Sequence, residues 1–114
     1  MKGVRELNLE SGYPTAAEAL HRLEADMAAT RSMHWPVMKI IHGYGSSGRG
    51  GRIRSAVRRY LKEQREQGRV KAVICGEDFS IFSDETRQAF AVCGALRQDR
   101  DLDRCNPGIC FVVL

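Results

Sequence analysis

Ten residues holding five glycines, His42 to Gly51, stand between an apolar run and a helical pattern. The run, Val37-Met38-Lys39-Ile40-Ile41, is nearly continuous, as in a strand covered by other elements. The pattern, Arg52 to Gln67, sets Ile53, Ala56, Val57, Tyr60 and Leu61 on one stripe, and Gly68 follows as a stop. A strand, a glycine loop and a helix in that order point to a crossover that returns to the sheet parallel to its start. The loop then lies at the carboxyl edge of the sheet, where α/β folds bind ligands.

The flanking sequence extends the alternation. Val4 to Leu9 alternates apolar and polar residues, which predicts a short strand. Thr15-Ala-Ala-Glu18 is a capping box with Thr15 as N-cap. The helix it opens carries Ala16, Leu20, Leu23 and Met27 on one stripe and fades near Arg31, before Trp35-Pro36. Val70 to Cys75 reads as a third strand and Gly108 to Leu114 as a fourth. Between them Ser83 caps a third helix running to about Arg97, with Thr86, Phe90, Cys93 and Leu96 inward. The order β-α-β-α-β-(α)-β, with one apolar stripe per main helix, predicts an α/β two-layer sandwich whose first three strands are parallel.

Composition narrows the class. At 114 residues, 43% hydrophobic and 28% charged, the chain fits one globular domain and not a disordered segment. No apolar run approaches the ~18 residues of a membrane span, so no membrane partner is expected. The opening MKGVRELNLE has no apolar core of a secretory leader, which leads to an expected cytoplasmic location. The four cysteines, Cys75, Cys93, Cys105 and Cys110, are then expected reduced, and without a C-x-x-C pair they predict no metal site. Asp99, Asp101 and Asp103 have ligand-like spacing but complete no calcium loop, so a solvated loop is expected there.

Charge is concentrated. The net charge is +4, yet residues 49–71 hold nine basic and two acidic groups, while 72–114 hold four basic and seven acidic. A local anionic partner follows, with DNA or RNA first. The glycine loop can bring backbone N–H groups and a helix N-terminus to a phosphate. The candidate contacts are Gly43, Tyr44, Gly45, Arg49, Arg52, Arg54, Arg58 and Lys62, with Tyr44 as a base-stacking group. Arg54, Arg58, Lys62 and Arg65 are read as one solvated face of the helix. His42, at the strand end, is the candidate general base.

Two other readings of the loop are weaker. Gly43-Tyr-Gly45-Ser-Ser-Gly48 spells G-x-G-x-x-G, but it follows the second strand, and Glu77 and Asp78 lie too far on to hold a ribose. No Gly-Lys-Ser/Thr follows, which argues against a Walker loop. A small nucleotide-binding enzyme and a non-catalytic protein-interaction module stay as alternatives.

Ile40-Ile41-His42-Gly43-Tyr44-Gly45, the glycine-rich linker and Ile53-Arg54 resemble the H-G-x-G segment of Smr (small MutS-related) domains. Val4 to Glu10 with the following helix, and the closing Gly108 to Leu114, resemble that family's first and last elements. The resemblance covers nearly the whole of 1–114 as a single domain. It implies a four-stranded mixed sheet with an antiparallel last strand, DNA or RNA binding, and in some members nicking that uses Mg²⁺ or Mn²⁺. Two departures stand out. The family's Leu-Asp-x-His-Gly reads Leu7-Asn8-Leu9-Glu10-Ser11 here, leaving Glu10 as the second catalytic candidate beside His42. The stretch 76–106 is a longer insertion between the third and fourth strands than the family usually carries.

Overall fold

A computed structural model describes residues 3–44 and 49–114. The elements are β1 (Val4–Asn8), α1 (Ala16–Ser32), β2 (Val37–Ile41), α2 (Arg49–Glu66), β3 (Ala72–Cys75), α3 (Asp84–Val92) and β4 (Ile109–Val113). Short 3-10 turns cover Gly76–Asp78 and Gly94–Gln98. The strands form one mixed sheet in the order β1-β2-β4-β3. β1 and β2 pair in parallel, and β4 runs antiparallel to both β2 and β3. The first three strands therefore share one direction, and the last strand in sequence lies between the second and third.

That place explains the composition of β4. All five of its residues are buried, because it has a strand on each side and a layer on each face. Cys110 and Val112 face a core built from α1 and α2, with Leu23, Met27, Val57 and Leu61. Ile109, Phe111 and Val113 face a second core with Phe79, Phe90 and Leu96. Residues 76–106 supply this second layer. They are thus a cover for the opposite face of the sheet, closed by Phe79 and Phe111 with ring centroids 4.2 Å apart.

The capping box forms as read: Thr15 N–H donates to Glu18 Oε1 and Glu18 N–H to Thr15 Oγ1, both at 3.1 Å. The α1 stripe is rotated slightly, with Ala19 buried in place of Ala16. α3 stops at Val92, short of the expected Arg97, and a 3-10 turn continues it. Thr86, Phe90, Cys93 and Leu96 are nonetheless all buried.

One polar device anchors the segment 76–106 to the sheet. Lys39, in the middle of β2, is 2% exposed. Its Nζ donates to Asp101 Oδ2 at 2.6 Å and to Asp99 Oδ1 at 3.0 Å. Burial alone would push its pKa down, but the two carboxylates outweigh that and hold it above the ordinary value. Asp99 and Asp101 are therefore occupied by an ammonium and leave the solvated loop expected for them. Asp103 does lie exposed on its loop.

Candidate nucleic-acid interface

Parallel pairing of β1 and β2 brings residues 8–10 beside 41–43. Leu9 N–H donates to Ile41 O at 2.8 Å. Beyond β2 the chain is held by β4: the N–H groups of His42 and Gly43 both donate to Gly108 O, at 2.9 and 3.0 Å. Gly43 has φ +75°, and a side chain there would meet the Glu10 carboxylate. The two catalytic candidates thus come to one edge of the sheet but face different surroundings. Glu10 is exposed, with its carboxylate over the Gly43 Cα. His42 is fully buried.

The His42 ring is fixed on both nitrogens. Nδ1 lies 2.6 Å from Gly43 O, which can only accept, so Nδ1 carries the proton. Nε2 is then the acceptor, 3.4 Å from Cys110 Sγ and 3.5 Å from Arg58 Nε. Burial pushes the His42 pKa down to about 4; the Gly43 carbonyl opposes this, and Arg58 and Arg54 reinforce it.

Arg54 and Arg58 do not lie on one solvated face with Lys62 and Arg65. Arg58 grips Glu77 with two bonds, of 2.9 and 2.7 Å, and also donates to Pro107 O at 3.0 Å. Arg54 donates to Glu77 Oε2 at 2.9 Å and to Pro107 O at 3.0 Å. The Arg58 hydrogen bonds hold the Glu77 carboxyl down to about 2. These arginines clamp α2 to the turn after β3 and to the backbone that leads into β4. Arg65 pairs with Glu85 at 3.5 Å.

The exposed stripe of α2 is Arg52, Ser55, Arg59 and Lys62, at helical spacings of three, four and three. Among the described residues Arg52, Arg59 and Lys62 make no ion pair. Tyr44, 61% exposed, has its ring against Gly108. It lines a wide cleft of about 670 Å³ with Arg100, Arg104, Asn106 and Pro107. Gly45 lies outside the described residues, as does the side chain of Arg49. No group of three or more His, Cys, Asp or Glu that could hold a metal ion occurs among the described residues. Among those residues, too, no helix is long and apolar enough to cross a membrane.

The family model of the Smr domain matches residues 11–77, more than half of the chain. The chain belongs to the Smr domain family. A solved structure, the Smr domain of Thermus thermophilus MutS2, superposes over 96% of both chains with a TM-score of 0.58 at 19% identity, which supports the same fold. No curated protein matches by sequence. Smr domains are associated with nucleic-acid binding and nicking endonuclease activity.

Two parts of this Smr domain carry little local signal. Glu77 stands alone in sequence as an acid after a strand, although that place suits it to meet arginines at positions i and i+4 of a neighbouring helix. Arg59 is masked in the helical pattern, which Arg54 and Arg58 dominate. The exact rotation of α2 decides which arginines are clamped and which are open.

Proposed function

We propose that this Smr domain binds DNA or RNA through phosphate contacts from Arg52, Arg59 and Lys62. The glycine segment with Gly43, Gly45 and Arg49 approaches the backbone, and Tyr44 stacks on an unpaired base. The observation that carries this reading is the exposed stripe of cations that make no ion pair among the described residues, inside the most basic segment of the chain. Arg54 and Arg58 serve the architecture that presents it.

The reading is of binding without cleavage. Asn8 stands where active members carry an acid. His42 turns its free nitrogen toward Cys110 and Arg58, so it positions the glycine segment and does not meet a scissile phosphate. Glu10 alone is a thin apparatus for so stable a bond.

The test is fluorescence anisotropy with single-stranded, duplex and branched DNA and RNA over a salt series. With three to four phosphates neutralised, log K should fall against log salt with a slope of about −3 to −4 on duplex DNA. Arg52→Glu with Lys62→Glu should weaken all sequences alike and flatten the slope by about 2. A flat salt response in the wild type would overturn the electrostatic reading. Turnover of labelled substrate with Mg²⁺ or Mn²⁺, lost in His42→Ala and in Glu10→Gln, would overturn the binding-only reading.

A further inference from the structure

Cys75 and Cys110 stand directly opposite each other on β3 and β4, with their Sγ atoms 4.0 Å apart. The two thiols differ in access. Cys110 is fully buried, with His42 Nε2 at 3.4 Å. Cys75 is half-buried and lines a cleft of about 420 Å³ with Arg65, Glu77, Asp78 and Ser80. A small solute in that cleft can reach Cys75 and not Cys110.

We propose that Cys75 and Cys110 form a reversible thiol–disulfide pair, in which Cys75 is attacked by hydroperoxides and Cys110 resolves the product. The first step uses the Cys75 thiolate. Its sulfur attacks the terminal peroxide oxygen, the O–O bond breaks, and the alkoxide leaves as the alcohol after taking a proton. Cys75 becomes a sulfenic acid. The Cys110 sulfur then attacks the Cys75 sulfur, the S–O bond breaks, and the leaving hydroxide and the Cys110 proton become water. His42 Nε2 is positioned to accept that proton in passing. Overall, two thiols lose two electrons and one hydroperoxide is reduced to an alcohol and water.

The surroundings fit this division of labour. The Cys110 thiol bonds to Cys75 and holds its pKa down to about 7, with Arg58 adding to the fall. Cys75 then carries more thiolate near neutral pH than an ordinary cysteine. The same coupling, with burial, pushes the Cys110 thiol up, as suits a group that acts only after its neighbour is oxidised. Directly opposed residues on antiparallel strands hold their Cβ atoms about 4.5–5.5 Å apart. A disulfide needs about 3.5–4.5 Å, so closure pulls the strands together by about 1 Å. A bond made under such strain is readily reduced.

The experiment treats the intact protein with tert-butyl hydroperoxide and follows its mass. The expected result is a monomer lighter by about 2 Da, restored by dithiothreitol, with one linked peptide pair containing Cys75 and Cys110. Cys105→Ser, which removes the exposed thiol, should leave this product unchanged. Cys110→Ser should stall at a sulfenic acid on Cys75 that dimedone traps. A linked pair containing Cys93 or Cys105, or oxidation confined to Cys105, would overturn the proposal. So would a wild-type mass that stays constant or rises, and neither readout depends on a variant that folds.

Discussion

Lowering the pH from about 7.5 to about 5 should destabilise this domain chiefly through one buried imidazole, with a smaller share from Cys75, whose thiol is held down to about 7 and regains its proton over the same range. His42 has a folded pKa of about 4 against an ordinary value of 6.5. Between those values the unfolded chain binds a proton that the folded chain refuses, so stability is complete above 6.5 and falls as the pH drops. At about pH 5 the loss is about 2 kcal/mol, rising to about 3 kcal/mol below the folded pKa. Arg58 and Arg54 from α2 face the ring, Cys110 touches it, and Glu77 stands behind the arginines. Glu77 titrates in a separate window: held at about 2 against an ordinary 4.5, it withdraws stability only as the pH falls below 4.5. Urea unfolding followed by the single tryptophan, Trp35, is the assay. With an m value of about 1–3 kcal/mol/M, the midpoint should fall by about 1 M between the two pH values. His42→Asn should remove most of that pH dependence whatever its own stability. A midpoint that holds steady, or an equal slope in His42→Asn, would refute the reasoning.

Three further outcomes are expected in thermal or urea unfolding. Lys39→Met leaves the partly buried Asp99 and Asp101 without their cation and should cost about 3 kcal/mol, whereas Lys39→Met combined with Asp99→Asn and Asp101→Asn should recover part of the loss. Gly43→Ala forces a side chain onto φ +75° and against the Glu10 carboxylate, at a cost of about 1–3 kcal/mol; adding Glu10→Ala should return the steric share but not the backbone share. Gly76→Ala drives a methyl group into the Asn106 carbonyl and the Ile109 side chain and should be among the most damaging small changes, while Gly94→Ala, which meets open space, should shift stability by less than about 0.5 kcal/mol.

Where local chemistry decides an element, the residues were readable in advance. Thr15 and Glu18 announce α1, Ser83 announces α3, and the run Val37–Ile41 announces a strand. What escaped was long-range. Nothing local says that Ile109–Val113 slips between β2 and β3, so the second core of Phe79, Phe90 and Phe111 could not be foreseen. The same holds for the interface. Arg54, Arg58 and Lys62 look equivalent on a helical wheel, and only the path of the chain after β3, beside α2, sets Glu77 against two of them. Lys39 reads as an anomaly in an apolar strand until its partners, sixty and sixty-two positions on, are seen.

The central position of β4 bears on how this domain is made. On a ribosome, β1, α1, β2, α2 and β3 emerge before the strand that joins β2 to β3 exists. Among the described residues β3 has no other strand partner, and both cores need side chains from β4. Until that segment clears the exit tunnel the nascent chain holds a β1–β2 pair with exposed apolar faces and an unsatisfied edge. Such an edge invites holdase chaperones and is prone to wrong pairing. The sheet then closes late and all at once, so the finished domain should unfold as one cooperative unit and not by peeling from either side.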